Sequence, residues 1–414
     1  MTATGEVHDG ALPDEAYAAA LTTLPGCGPA RLAAAATITS RASSSFADVW
    51  AAIVADRSAV VGDARLAAVW TMAARRADVA ALWGDLGAHD VRVLVRGHGA
   101  YPAALVDDPE PPIVLFTTGS VGAVDAIDGA SSRVAIVGTR RCTGYGADVA
   151  RALGRGLTAA GVAIVSGLAA GIDAAAHEGA LAAHLAAGAE RHGSGSGSGS
   201  RLAPPIGVVG SGLDVVYPRR NRRLWRDVAA AGVLLSEAPL GAPPEPWRFP
   251  LRNRIIAALA DVVVVVESHE RGGSMHTVQA AVDRDVPVMA VPGSVRSPSS
   301  VGTNRLISDG VPPVLDVDDV LVALSLRSRP GASLPSRAGA SHLQEHPHAH
   351  PRPQLDPVAA AVLDALDWEP TTTEDVLRRT SITLGPVAAA LNRLEMAGLA
   401  RSRSGTWERT GNHE

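Results

Sequence analysis

The stretch RVAIVGTRRCTGYGADVARALGRGLTAAGVAIVSGLAAGIDAAAHEGAL, residues 133–181, decides the fold. Two runs of Val, Ile and Ala, at 133–137 and 162–166, each end in a glycine-bearing loop that leads into a segment of helical spacing, 145–160 and 172–187. A continuous apolar run, unlike an alternating one, fits a strand buried on both faces, and such strands separated by helices form parallel sheets. Downstream the pattern repeats, with strands expected at 206–209, 232–235, 261–266 and 286–291 and helices at 220–231, 249–260 and 274–284. The expected fold is α/β, a doubly wound and mostly parallel sheet.

Composition bounds the chemistry. The chain has 414 residues and its 37 basic residues are all arginine, so mechanisms that need a lysine amine are excluded, among them the Walker-A phosphate lysine and Schiff-base catalysis. The formal net charge is -5, which taken whole argues against a nucleic-acid partner. By region the inference reverses: residues 1–130 hold 8 Arg and 15 acids, 131–330 hold 21 Arg and 17 acids, and 331–414 hold 8 Arg and 10 acids. The α/β centre is the basic part. Two cysteines, Cys27 and Cys142, make neither a disulfide framework nor a zinc site, and Cys142 reads better as a small apolar filler than as a reactive thiol. With no export signal and no apolar run of the roughly 18 residues a membrane span needs, a cytoplasmic protein is expected.

Outside the centre, residues 15–85 suggest an Ala-rich helical bundle, and 356–409 suggest helices at 357–366, 371–379 and 384–398 followed by a strand pair ending ARSRSGTWER, a winged-helix pattern. The expected divisions are an N-terminal helical domain over 1–88, the α/β domain over 89–325 with a flexible Gly-Ser insertion at 189–205, a linker at 326–354 and the winged helix over 355–414. Four histidines between 342 and 350 in that linker read as incidental composition.

In an open α/β sheet the ligand lies beyond the carboxyl ends of the strands, so the loops that follow them converge on one crevice. The first loop carries Gly138, Thr139, Arg140, Thr143, Gly144 and Gly146 at a helix start, where free N–H groups attract phosphate. The second has Ser166 and Gly167 where a nicotinamide enzyme would place an acid, and its first acid is Asp173. Asp173 and His177, four apart, could form an acid–base pair, but a capping aspartate and a histidine tied to a neighbouring loop is the favoured reading. The third loop has Gly210 and Gly212 before PRRNRRLWR at 218–226, with Arg219 and Asn221 at the helix start. The fourth segment, FPLRNRIIAALA, alternates Arg252 and Arg254 with apolar residues, and the fifth places Gly272, Gly273 and Ser274 at another helix start. These seventeen residues form the expected ligand site, with no catalytic residue, metal or cofactor assigned. Tyr145, Tyr217 and Trp225 are the only aromatics expected near the loops, Trp225 being more readily buried than stacked on a base.

The ordered motifs Tyr101-Pro102-x2-Leu105, Pro111-Pro112-x2-Leu115-x3-Gly119, VGTRRCTGYG, SGLAAGIDAAAH, GSGLDVVYPRRN, SEAPLG, FPLRNRIIA and GGSMHT with VPGS resemble the DNA-processing protein A family, DprA/Smf, across about 100–325. The resemblance implies an extended Rossmann-like domain that binds single-stranded DNA without cutting it, forms a homodimer, and loads the RecA recombinase in natural transformation and recombination. It also implies that Arg140 and Arg219 face the DNA. Where the family has a Ser-Gly-Ser type fifth loop this chain has Gly272-Gly273-Ser274, and arginine replaces lysine after Tyr217-Pro218.

A nucleotide-binding or nucleotide-hydrolysing enzyme related to the phosphoribohydrolases is the competing reading of the same fold. Its signature glutamate in the fifth loop has no counterpart, since Thr277, Val278 and Gln279 occupy that turn. At the N-terminus LPGCGPARL, 24–32, resembles a helix-hairpin-helix turn, with an ordinary helix–helix turn the equal alternative. The C-terminal helix of the winged pattern exposes little beyond Asn392 and Arg393 for reading a groove, so protein contact is the better expectation there.

Overall fold

The computed structural model describes residues 12–42, 44–57, 60–120, 127–130, 132–193, 202–327, 355–366, 371–403 and 405–409. The quoted stretch forms β3 (Arg133–Val137), α6 (Gly144–Ala159), β4 (Ala163–Ser166) and α7 (Ile172–Gly193), after five N-terminal helices and two strands, β1 (Arg92–Val95) and β2 (Val114–Gly119). There follow β5 (Ile206–Val209), α8 (Arg222–Ala231), β6 (Val233–Ser236), α9 (Arg248–Leu259), β7 (Val262–Val265), α10 (Met275–Val282) and β8 (Val288–Ala290). All four residues of β4, β5, β6 and β7 are buried, which is why they read as unbroken apolar runs.

These strands make one eight-stranded sheet of order β1-β2-β6-β5-β4-β3-β7-β8. From β6 to β8 every pairing is parallel, while β1 and β2 add an antiparallel edge. The chain winds outward from β3 to β6 and then returns to the other side of β3 for β7. The sheet therefore switches direction between β3 and β7, and their carboxyl ends open the crevice in which such folds bind ligands.

Helices α6 and α7 pack on one face of the sheet, α9 and α10 on the other. Burial of Val134, Ile136, Val262 and Val264 beneath the first layer, and of Ala135, Val137, Val263 and Val265 beneath the second, follows from the alternation of side chains along each strand. The N-terminal helices do not build a separate core: Leu21, Trp50 and Trp70 share a buried cluster with Phe116, Leu234 and Trp225. Trp225 is thus core, and Cys142 is a partly buried filler against the α6 side.

Helix α7 runs to Gly193, into the segment expected as flexible insertion, and residues 194–201 of that insertion lie outside the described residues. Among the described residues no helix is long and apolar enough to cross a membrane. Helices α11 (Val301–Ser308) and α12 (Val317–Arg327) close the α/β part; the histidines at 342–350 also lie outside the described residues. The C-terminal part has three helices, α13 (Pro357–Ala365), α14 (Thr373–Thr380) and α15 (Leu384–Met396), and a three-stranded sheet of β9 (Thr371–Thr372), β10 (Ala400–Arg403) and β11 (Thr406–Arg409), with its own apolar cluster.

Candidate nucleic-acid interface

At the carboxyl end of the sheet lie two adjoining chambers. The larger, about 620 Å³, spreads from the first loop to the fifth, between Gly138–Arg141 and Gly272–Thr277. The smaller, about 510 Å³, lies over the third loop, against Gly210, Ser211, Pro218 and Arg220. Both volumes fall in the range of small-molecule and nucleotide sites. Arg140, Arg141 and Arg252 line both chambers and Arg220 the smaller one; the single acid in their walls is Asp173.

Arg252 anchors the floor. On the first turns of α9 it is 7% exposed, and its guanidinium donates to Gly167 O at 2.8 Å and to Asn253 Oδ1 at 3.0 Å, with Asp173 Oδ2 at 4.0 Å. Its Nε is buried without a partner among the described residues. Gly167 is glycine because a Cβ there would collide with this guanidinium. Burial lowers the Arg252 pKa to about 10 against the pull of Asp173, so the arginine stays charged at neutral pH. Burial likewise raises the Asp173 carboxyl, opposed by Arg252 and by backbone N–H groups of Ala169 and Gly167.

His177 is fully buried, with Nδ1 3.3 Å from Asp173 O and Nε2 3.2 Å from Ile206 O. Burial pushes its pKa down to about 4. Asp173 braces the second loop and His177 ties α7 to β5, so the two make no acid–base pair.

Six of the residues expected at the ligand site stand elsewhere. The start of α6 is already occupied by an acid: Glu267, just past β7, accepts from Thr143 N at 2.9 Å and from Thr143 Oγ1 at 2.6 Å. Thr143 in turn caps the helix by accepting from Gly146 N at 3.1 Å. Gly146 is glycine to clear the Glu267 carboxylate, and Gly144 lies against Glu408 of β11. Thr143, Gly144 and Gly146 therefore shape the back of the first loop, and a phosphate at this helix start would meet carboxylate. Burial raises the Glu267 pKa, against the Thr143 hydrogen bonds. Ser166 is fully buried with its hydroxyl on Ile136 O, and Gly212 packs on Pro239 and Ala242. Arg254 turns away on the far side of α9, where it is 6% exposed and pairs with Glu237 at 2.6 Å.

Two more act indirectly or from the rim. Asn221 donates to Leu168 O and Ala169 O, holding the second loop to the third, and Arg219 is exposed outside both chambers while its neighbour Arg220 lines one. The remaining nine, Gly138, Thr139, Arg140, Gly167, Gly210, Arg252, Gly272, Gly273 and Ser274, line the chambers.

The expected site leaves out Phe249. It lines both chambers, carries the Arg140 guanidinium 4.6 Å above its ring, and sits 5.6 Å from the Tyr217 ring. Tyr145, by contrast, donates its hydroxyl to Pro292 O outside the chambers. The N-terminal turn shows Cys27, Gly28 and Pro29 lining a narrow pocket with Gly210, Trp247 and Arg252, so the turn faces this chain's own third loop. Burial raises the Cys27 thiol to about 12.

Fold and site together define a doubly wound α/β protein with an arginine-lined cleft at its switch point. The chain belongs to the DNA recombination-mediator protein A family, DprA/Smf: the model of that family matches residues 92–325, and the DprA winged helix domain matches 346–406. It is 32% identical to Protein Smf of Synechocystis over 74% of this chain and 76% of that one, and 34% identical to DNA processing protein DprA of Bacillus subtilis over 55% and 69%. The X-ray structure of DNA processing protein A from Streptococcus pneumoniae superposes with a TM-score of 0.60 at 28% identity, covering 75% of this chain and 98% of that one.

Proposed function

We propose that the cleft binds single-stranded DNA by its phosphates, without cutting it. The observation that carries this reading is the charge of the cleft: four arginines, Arg140, Arg141, Arg220 and Arg252, against one acid that is already paired with Arg252. Glycine loops between them let a backbone approach closely, and arginine forks suit phosphate oxygens. Chambers of this size, walled by Tyr217 and Phe249, suit unpaired nucleotides better than a duplex. The hydrolytic alternative is weaker, because the nearest carboxylates behind the first and fifth loops, Asp173 and Glu267, are held by Arg252 and Thr143.

Family membership supports the extension of this reading: a homodimer that protects incoming strands and passes them to the RecA recombinase in natural transformation. The test of the core reading is a salt titration of binding to single- and double-stranded oligonucleotides by the whole chain and its Arg140→Ala variant. Single strands should bind tighter, with a slope of log K against log salt that loses about 0.7 on removal of one phosphate contact. Equal binding of duplex, or a slope indifferent to Arg140, would refute it.

A further inference from the structure

The two chambers share a wall of six residues, Arg140, Arg141, Ala169, Tyr217, Phe249 and Arg252. That wall holds both of the aromatic rings of Phe, Tyr or Trp type that line the chambers. Their centroids are 5.6 Å apart with planes inclined by 41°, a tilted pair that stands as one apolar ridge. Tyr217 is 41% exposed, so the ridge presents ring surface to the cleft and is not sealed in the core. On Phe249 lies the Arg140 guanidinium, 4.6 Å from the centroid, at a distance where the ring quadrupole holds a cation. Arg140 is exposed and lines both chambers, so its guanidinium is open to a ligand in either.

A nucleotide brings two kinds of surface, a flat apolar base and a charged phosphate, and this wall sets a match for each side by side. We propose that the cleft takes single-stranded DNA as a two-nucleotide step: successive nucleotides occupy the two chambers, Tyr217 and Phe249 stand between their bases, and Arg140 takes the phosphate that joins them. The ridge interrupts base-on-base stacking and replaces it with base-on-aromatic stacking, which every base supports, so the step carries little sequence preference. Arg252, charged and buried beneath the same wall, supplies the positive field from below. The proposal rests on the single-strand reading of the cleft and adds to it the repeat in which the strand is gripped.

The test uses defined short ligands beside a long one. Binding of dTMP, pTpT and pTpTpT to the whole chain is measured at low salt, together with pTpT in which either base is replaced by an abasic sugar, and with long oligothymidylate. The expected result is a large gain from one to two nucleotides, a smaller one from two to three, and a loss on the order of tenfold for either abasic substitution. In Phe249→Leu and Tyr217→Leu that abasic penalty should shrink severalfold. The abasic comparison in the unaltered chain needs no variant to fold. Abasic dinucleotides that bind as well as pTpT, or a penalty that persists in both variants, would overturn the two-nucleotide step while leaving single-strand binding intact. Failure of the long strand to bind while pTpT binds would instead overturn the single-strand reading, and the proposal with it.

Discussion

Two arginine-bearing segments meet the cleft, and the poorer one contributes more. PRRNRRLWR at 218–226 has five arginines, of which Arg220 alone lines a chamber; Arg223 and Arg226 are exposed and lie near Asp227. FPLRNR at 249–254 has two, yet it supplies the buried floor in Arg252, the aromatic wall in Phe249 and a structural ion pair in Arg254. Charge density along a sequence thus measures how soluble a helix face is. Membership of a site depends on helix register, and on α9 residues 249 and 252 share a face that 254 does not.

The contrast between Arg252 and Arg254 gives the largest expected effect. Arg254→Ala leaves the Glu237 carboxylate largely buried without its partner, and breaking such a pair costs about 3–5 kcal/mol. Urea unfolding should show that loss while the folded variant keeps its single-strand affinity. Arg252→Ala strands Asp173 in the same way and should lose stability to a similar degree, but with affinity lost as well. A stable Arg254→Ala protein that no longer binds DNA would reverse the assignment of the two residues.

Next in size is the pH response of the His177 tie between α7 and β5. An unfolded imidazole takes its proton near 6.5, whereas buried His177 resists protonation down to about 4. Between those values the unfolded chain binds the extra proton, so stability falls as pH drops from about 6.5 to about 4, by roughly 3 kcal/mol in all. Relative to the parent, His177→Asn should have a flatter stability profile across that window. Parallel profiles would mean that His177 is solvated, and that its ties to Asp173 O and Ile206 O do not hold in solution.

Much of the fold was legible because the parallel strands are buried on both faces, and burial on both faces leaves an unbroken Val/Ile signature. The site was legible only in part. Glycine loops mark where a backbone turns, but the residue that fills the space above them comes from elsewhere in the chain. Glu267 lies 124 positions from Thr143, and no spacing rule connects them. The same holds for Gly167, whose missing Cβ is explained by Arg252, 85 positions on. Phe249 left a fainter trace that was readable: three residues before Arg252 on one helix, it had to share that arginine's face. Arg254, two residues further, could not.

Between the two arginines that follow Tyr217-Pro218 the expected difference is smaller and falls on binding alone. Arg220 lines the chamber and Arg219 stands outside it, both exposed. Arg220→Ala should reduce the single-strand salt slope by about 0.7 and Arg219→Ala by less, with unfolding midpoints unchanged in both. The opposite order would move the strand's path from the chamber to the outer side of the turn.

The smallest effect belongs to the outer end of that arginine run. Arg223 and Arg226 have 87% and 75% of their side chains exposed, and their contacts with Asp227 are 3.5 and 3.4 Å, so water and salt screen them. Exposed pairs of this kind contribute about 0–1 kcal/mol, and the double variant Arg223→Ala/Arg226→Ala should unfold within about 0.5 kcal/mol of the parent. Its slope for single strands should change less than that of Arg220→Ala alone, although two charges are removed instead of one. If distance from the cleft did not matter, deleting two arginines would always outweigh deleting one. A double variant with the larger slope change would show that the strand leaves the cleft along α8, and that the arginine run is a second track for its backbone.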